Sequence, residues 1–285
     1  MAERVLLTGA TGFVGRAVAG PLRAKGAQLR AVSSMDANLL DEGAARALLR
    51  DLRPTVVVHC AWYVTHGKFW TAPENADWLE ASTAFARAFV ELGGRRFVGV
   101  GTCAEYAESD TADEFPWHET RVIAPATPYG VAKAELAARL AAMPLETAWA
   151  RLFHMFGPGE HPDRLVPSVA RALKEGREAR CASGRPVRDF ASTRFIGEAL
   201  AALALSGVTG PVNVASGQGR AIADVARFLG AASGRPALVR LGALPDRPNE
   251  VPHMVADVTR LRREVGFTAP PRVEADLRAL LAAIR

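Results

Sequence analysis

Short apolar runs alternate with longer amphipathic stretches through the first half of the chain. Val5-Leu6-Leu7-Thr8 is apolar, bounded by glycine, and reads as a strand buried on both faces. A helix is expected from about Gly12 to Lys25, closed by Gly26. Leu29 to Val32 reads as a second strand, Asp41 to Arg50 as a helix, and Thr55 to Cys60 as a third strand after Pro54. Asn75 to Leu92 is a long helical stretch ended by Gly93-Gly94, and Arg96 to Val100 a fourth strand. An alanine-rich helix spans Tyr129 to Ala142 before Pro144, and Ala148 to Arg151 is a fifth strand. This alternation predicts an α/β fold, a Rossmann-like doubly wound parallel sheet.

Beyond Arg151 the pattern loosens, with Pro and Gly clustered at 156–159 and 184–186. A helix over Phe195–Leu205 and a strand over Pro211–Val214 suggest a return to the sheet; Ile222–Leu229 and Val258–Glu264 read as short helices. The expected division is a dinucleotide-binding domain over 1–152, with a return segment at about 188–216. A smaller interleaved C-terminal lobe over 153–187 and 217–285 would bind substrate.

Composition narrows the setting. No apolar stretch reaches membrane-spanning length, and the first strand leaves no room for a leader, so a cytoplasmic protein is expected. The three cysteines (Cys60, Cys103, Cys181) have neither metal-ligand spacing nor a disulfide framework. The net charge is +5, but no basic block or reading motif accompanies it, so nucleic acid is not expected as a partner. An anionic small substrate suits the charge.

Two motifs carry chemistry. Thr8-Gly9-Ala10-Thr11-Gly12-Phe13-Val14-Gly15 joins the first strand to its helix. Glycines there permit a tight turn and close ligand approach, and the helix start offers free N–H groups to a pyrophosphate. Gly9, Thr11, Gly12, Phe13, Val14, Gly15 and Arg16 are therefore cofactor candidates, with Ala61 beyond the third strand. Tyr129 and Lys133 lie one helical turn apart on one face. An ammonium beside a phenol favours the phenolate, which would make Tyr129 a proton donor or acceptor near neutral pH.

The Gly-x-x-Gly-x-x-Gly spacing together with Tyr129-x-x-x-Lys133 resembles the short-chain dehydrogenase/reductase superfamily. Further segments resemble its extended, NAD(P)-dependent epimerase/dehydratase branch: Arg151-Leu-Phe-His-Met-Phe-Gly157-Pro-Gly159, Arg188-Asp189-Phe190 and Arg247-Pro248-Asn249-Glu250-Val251-Pro252. The resemblance implies that Thr102 orients the reacting oxygen, Tyr129 passes the proton, and Lys133 tunes the phenol and holds the nicotinamide ribose. Asn38 and Leu39 resemble the adenine-contacting pair. His154, where the family usually has Asn, and Arg188 and Arg247 match positions that contact the substrate diphosphate. Val166 lies in a segment that lines the base. Cys103, Thr65 and His66 complete the substrate candidates, the latter two in an aromatic loop, Ala61 to Trp70, suited to sugar surfaces.

Ser33 and Ser34 stand where an NAD site usually has an acid, so NADP(H) is favoured over NAD(H). The family's 4,6-dehydratases carry Thr-Asp-Glu where this chain has Thr102-Cys103-Ala104, so dehydration is disfavoured. The expectation is NADP(H)-dependent reduction of a nucleotide-linked keto-sugar at C4 in deoxysugar biosynthesis, on a CDP- or dTDP-linked substrate, by a homodimer. An epimerase with tightly held NAD, or a non-catalytic cofactor-sensing protein, are the alternatives.

Overall fold

The computed structural model describes residues 2–108, 115–248 and 250–284. The first half runs β1 (Arg4–Thr8), α1 (Gly15–Ala24), β2 (Gln28–Ala31), α2 (Glu42–Leu52), β3 (Val56–His59), α3 (Glu74–Glu91), β4 (Arg96–Thr102), α4 (Pro128–Ala141) and β5 (Glu146–Leu152). Local chemistry sets several boundaries. The Asp41 carboxylate caps α2 by accepting from the Ala44 N–H. The Thr127 hydroxyl caps α4, and Pro128 occupies its first turn, where a missing N–H costs nothing. Helix α1 begins at Gly15 rather than Gly12, because residues 12–14 form the turn of the glycine loop.

The second half runs β6 (His154–Phe156), α5 (Leu165–Lys174), β7 (Ala179–Arg180), β8 (Val187–Ser192), α6 (Thr193–Ala204), β9 (Gly210–Val214), β10 (Gly219–Ala221), α7 (Ile222–Ala232), β11 (Val239–Arg240), β12 (His253–Met254), α8 (Thr259–Arg263) and α9 (Val273–Ala283). The main sheet is parallel, in the order β2-β1-β3-β4-β5-β9. A smaller sheet centres on β8, flanked by antiparallel β10 and by parallel β12 and β6. The expected return segment 188–216 therefore divides: β8 lies in the small sheet, whereas α6 and β9 pack on and extend the large one. Helices α5 and α9 were not anticipated from the sequence.

Both faces of the main sheet are covered. Under α1 and α6, Val5, Leu7, Val56, Val58 and Val98 pack against Ile196 and Leu200; on the other face Leu6, Val57 and Phe97 meet Phe85, Phe89 and Leu136. This explains the near-continuous apolar strands. Helices α1 and α6 approach so closely that a methyl on Gly197 would lie 2.1 Å from the Ala17 carbonyl oxygen. Arg96, 1% exposed, donates to the carbonyls of Leu203 and Ala204 at the C-terminal end of α6, and to that of Val208 beyond it. A third cluster, joining α5, α7 and α9, forms the core of the small lobe. Among the described residues no helix is long and apolar enough to cross a membrane.

Candidate active site

The chain reverses its winding direction between β1 and β3, and the glycine loop lies at that switch point. Gly9 has φ +64, and a methyl there would stand 2.7 Å from the Ala61 amide nitrogen. A methyl on Gly15 would stand 2.1 Å from the Gly9 carbonyl oxygen. The loop is thus pressed between its own helix and the end of β3, and only glycine fits. Thr11 and Gly12 are exposed along this cradle, with Phe13 and Val14 half-buried. These residues fit a dinucleotide pyrophosphate: a bare backbone, no intruding side chain, and the N-terminus of α1 behind it.

Arg16 does not extend towards β2. It folds back, donating from Nη2 to the Thr11 carbonyl (2.8 Å) and from Nε to that of Gly12 (3.2 Å), and its guanidinium lies against Gly159. At the end of β2 the Ser33 N–H and hydroxyl both donate to one Asp36 carboxylate oxygen, at 2.8 and 2.9 Å. Those hydrogen bonds hold the Asp36 carboxyl below its ordinary pKa. A carboxylate therefore does stand beside Ser33; the signal in the sequence is the three-residue Ser-to-Asp spacing of a turn. Ser34 and Asn38 are exposed nearby, and Leu39 is buried beneath them.

Tyr129 sits in the first turn of α4. Its N–H donates to the Trp70 carbonyl, and its ring meets Phe69 and Trp70 edge-on, with centroids 5.0 and 5.6 Å away. Trp62 and Phe69 are buried walls of the aromatic loop, whereas Trp70 is 42% exposed. Asn75 ties the loop together, accepting from the Trp62 indole and donating to the carbonyls of Phe69 and Ala72.

Burial pushes the Tyr129 phenol above its ordinary pKa, reinforced by Glu105 and Cys103; Thr102 and Arg164 pull it down. This corrects the expectation that Lys133 depresses it. The Lys133 ammonium, 4% exposed, donates instead to the Val100 carbonyl (2.9 Å) and stands 3.8 Å from the Trp62 ring centre. Burial lowers Lys133 itself to about 7, against the attraction of Glu105 and Cys60. A part-neutral ammonium turned to other partners exerts little pull on the phenol.

Thr102 ends β4 and caps the short turn at 103–105. Of its neighbours, Cys103 is pushed up to about 12 by burial, so its thiol holds its proton at neutral pH. Glu105 is fully buried and committed: it accepts from the Thr102 N–H (2.7 Å), the Trp149 indole and Arg151 Nε (2.7 Å). Arg151 also donates to Tyr106, whose phenol donates to Asn213 at 2.6 Å. This network locks β4, β5 and β9 together behind the site.

The other substrate candidates separate. His154 lies beside Phe190, lowered to about 3 by burial with help from Arg188 and Arg164, and its Nδ1 is buried without a partner among the described residues. Arg188 is buried and paired with Glu250 at 2.9 Å, while Asp189 beside it knots the small sheet to Ser216, Gly217 and Ala256. Arg247 is exposed on a loop, Val166 is buried in α5, and Thr65 is exposed. His66 stacks on His161, with ring centres 4.1 Å apart. Sequence reasoning missed Glu160, His161 and Arg164, charged or titratable residues in a loop that carries no motif signal of its own. A groove of about 1020 Å³ between α4, β5 and β9 is lined by neither Thr102 nor Tyr129 and lies apart from this chemistry.

Fold and site together define a nicotinamide-dependent oxidoreductase of the short-chain dehydrogenase/reductase type. The model of the NAD dependent epimerase/dehydratase family matches residues 5–215, and the chain belongs to that family. It is 25% identical to a dTDP-4-dehydro-6-deoxy-D-allose reductase of Streptomyces bikiniensis, over 94% of this chain and 92% of that one. TunA, an NAD dependent NDP-hexosamine 5,6-dehydratase of tunicamycin biosynthesis, superposes with a TM-score of 0.82 at 26% identity, over 98% of this chain and 97% of the other. RMD from Pseudomonas aeruginosa, complexed with NADPH, gives 0.84 at 22% identity over 99% and 98%.

Proposed function

We propose that this protein reduces the ketone of a nucleotide-diphosphate keto-sugar at C4, in deoxysugar biosynthesis, with a dTDP-linked substrate favoured over a CDP-linked one. The observation that carries this reading is the Thr102–Tyr129 pair, half-buried beside groups that cannot do acid–base elimination. Cys103 keeps its proton, Ala104 has none to give, and both Glu105 oxygens are already bonded. A bound nicotinamide coenzyme supplies the hydride. Tyr129, its pKa raised by burial, keeps its proton until a developing alkoxide takes it from the phenol oxygen. Thr102 orients the carbonyl oxygen towards that phenol. Lys133 would hold the nicotinamide ribose, and the Trp62 and Phe69 walls exclude water.

The linear sequence favours NADP(H), since neither Ser33 nor Ser34 repels a 2′-phosphate. The folded loop argues more strongly for NAD(H): the exposed Asp36 carboxylate is ready to accept from a ribose 2′-hydroxyl, and Arg16 is engaged elsewhere. Fluorescence titration with both reduced coenzymes tests this; tighter binding of NADPH than of NADH would overturn it. A homodimer through α3 and α4 in the cytoplasm belongs to the same reading, and light scattering would expose a monomer. The activity itself is tested by offering dTDP-4-keto-6-deoxyglucose with reduced coenzyme. Consumption of one coenzyme per sugar is expected; a changed sugar with no coenzyme consumed would make the protein an epimerase.

A further inference from the structure

The loop between β6 and α5 holds an arginine whose hydrogen bonding is half complete. Arg164 donates from Nε to Glu160 Oε1 at 3.1 Å, while its two terminal nitrogens make no hydrogen bond among the described residues. Its side chain is 39% exposed; that of Glu160 is 3% exposed, with Oε2 buried and unpartnered among the described residues. The guanidinium is therefore anchored on one edge and open on the other. Its charge acts on Tyr129, His154 and His66, groups contributed by α4, β6 and the aromatic loop. Arg164 thus lies within electrostatic reach of all three.

Charge balance points to an anion. Arg188 is compensated by Glu250 and buried, with its Nη1 on the Val187 carbonyl. Glu160 compensates Arg164 only in part, because burial pushes its carboxyl up to about 7 against the pull of Arg164. Among the described residues, the other charged or titratable groups in contact with this loop are His161 and Asp163 on the loop itself, His66 stacked on His161, and Arg16 of α1 beside Gly159. Only Asp163 among them is an acid, and its carboxylate lies 3.8 Å from His161.

We propose that Arg164, oriented by Glu160, is an anion-binding residue of the substrate cleft that takes the diphosphate of a nucleotide-linked ligand through its two terminal nitrogens. A guanidinium edge matches two phosphate oxygens bidentately, and holding Nε in advance reduces the ordering that binding requires. The inference rests on the nucleotide-sugar reading.

The test is calorimetric titration of the coenzyme-loaded protein with dTDP and with UDP. Arg164→Gln is expected to weaken nucleotide binding roughly 10–100-fold, the loss of charge-assisted hydrogen bonds, with coenzyme affinity unchanged. Equal nucleotide affinity in Arg164→Gln and parent overturns the assignment while leaving the reductase reading intact. A parent protein that binds neither nucleotide overturns both.

Discussion

Replacing Lys133 by Met should stabilise the protein while impairing it. The ammonium is buried with one hydrogen bond and one aromatic face for company. Its pKa of about 7, against an ordinary 10.5, measures how strongly the interior disfavours the charge. At 1.36 kcal/mol per pH unit, that gap corresponds to about 5 kcal/mol. Methionine fills similar space without charge. It forfeits the bond to the Val100 carbonyl, ~1–3 kcal/mol, and the contact with Trp62, ~1 kcal/mol. The balance favours the variant by roughly 1–3 kcal/mol, or about 2–5 °C in melting temperature for a chain of this size. The sign with pH follows from linkage. Between about pH 7 and 10 the unfolded chain binds the proton that the folded lysine has lost, so parental stability gains from this group as pH rises. The advantage of Lys133→Met should therefore shrink across that range. Calorimetric melts of both proteins at several pH values decide it. A variant that melts below the parent at neutral pH, or a gap that does not narrow, would refute the view that burial dominates at Lys133.

Tyr129→Phe removes the proton source and should cut turnover by about 10²–10⁴-fold, with coenzyme titration unchanged; retention of most of the rate would exclude the phenol from the reaction. Glu105→Ala leaves the Arg151 charge buried without its partner and should cost about 3–5 kcal/mol, read from the urea midpoint. A loss of activity without loss of stability would instead place Glu105 in the chemistry.

Much of the dinucleotide-binding half was legible along the chain. Runs such as Val56-Val57-Val58 are continuous because helices cover both sides of the sheet, and glycine at 9 and 15 is required because backbone crowds both positions. Periodicity and glycine spacing record such local demands directly. The small lobe was less legible. Its strands are two to six residues long and pair across large separations, as Val187 does with His253, so no short window carries their pattern.

The sequence by itself determined the sheet, its glycine cradle and the Tyr129–Lys133 pair, since each follows from residue type at short range. Only the tertiary structure decided what those residues meet. It turned Lys133 towards Val100 and Trp62, closed Asp36 onto Ser33, tied up Glu105, and brought Arg164 within electrostatic reach of Tyr129 and His154. Burial and partner choice set the charge states in a site, and both depend on what distant segments pack against it.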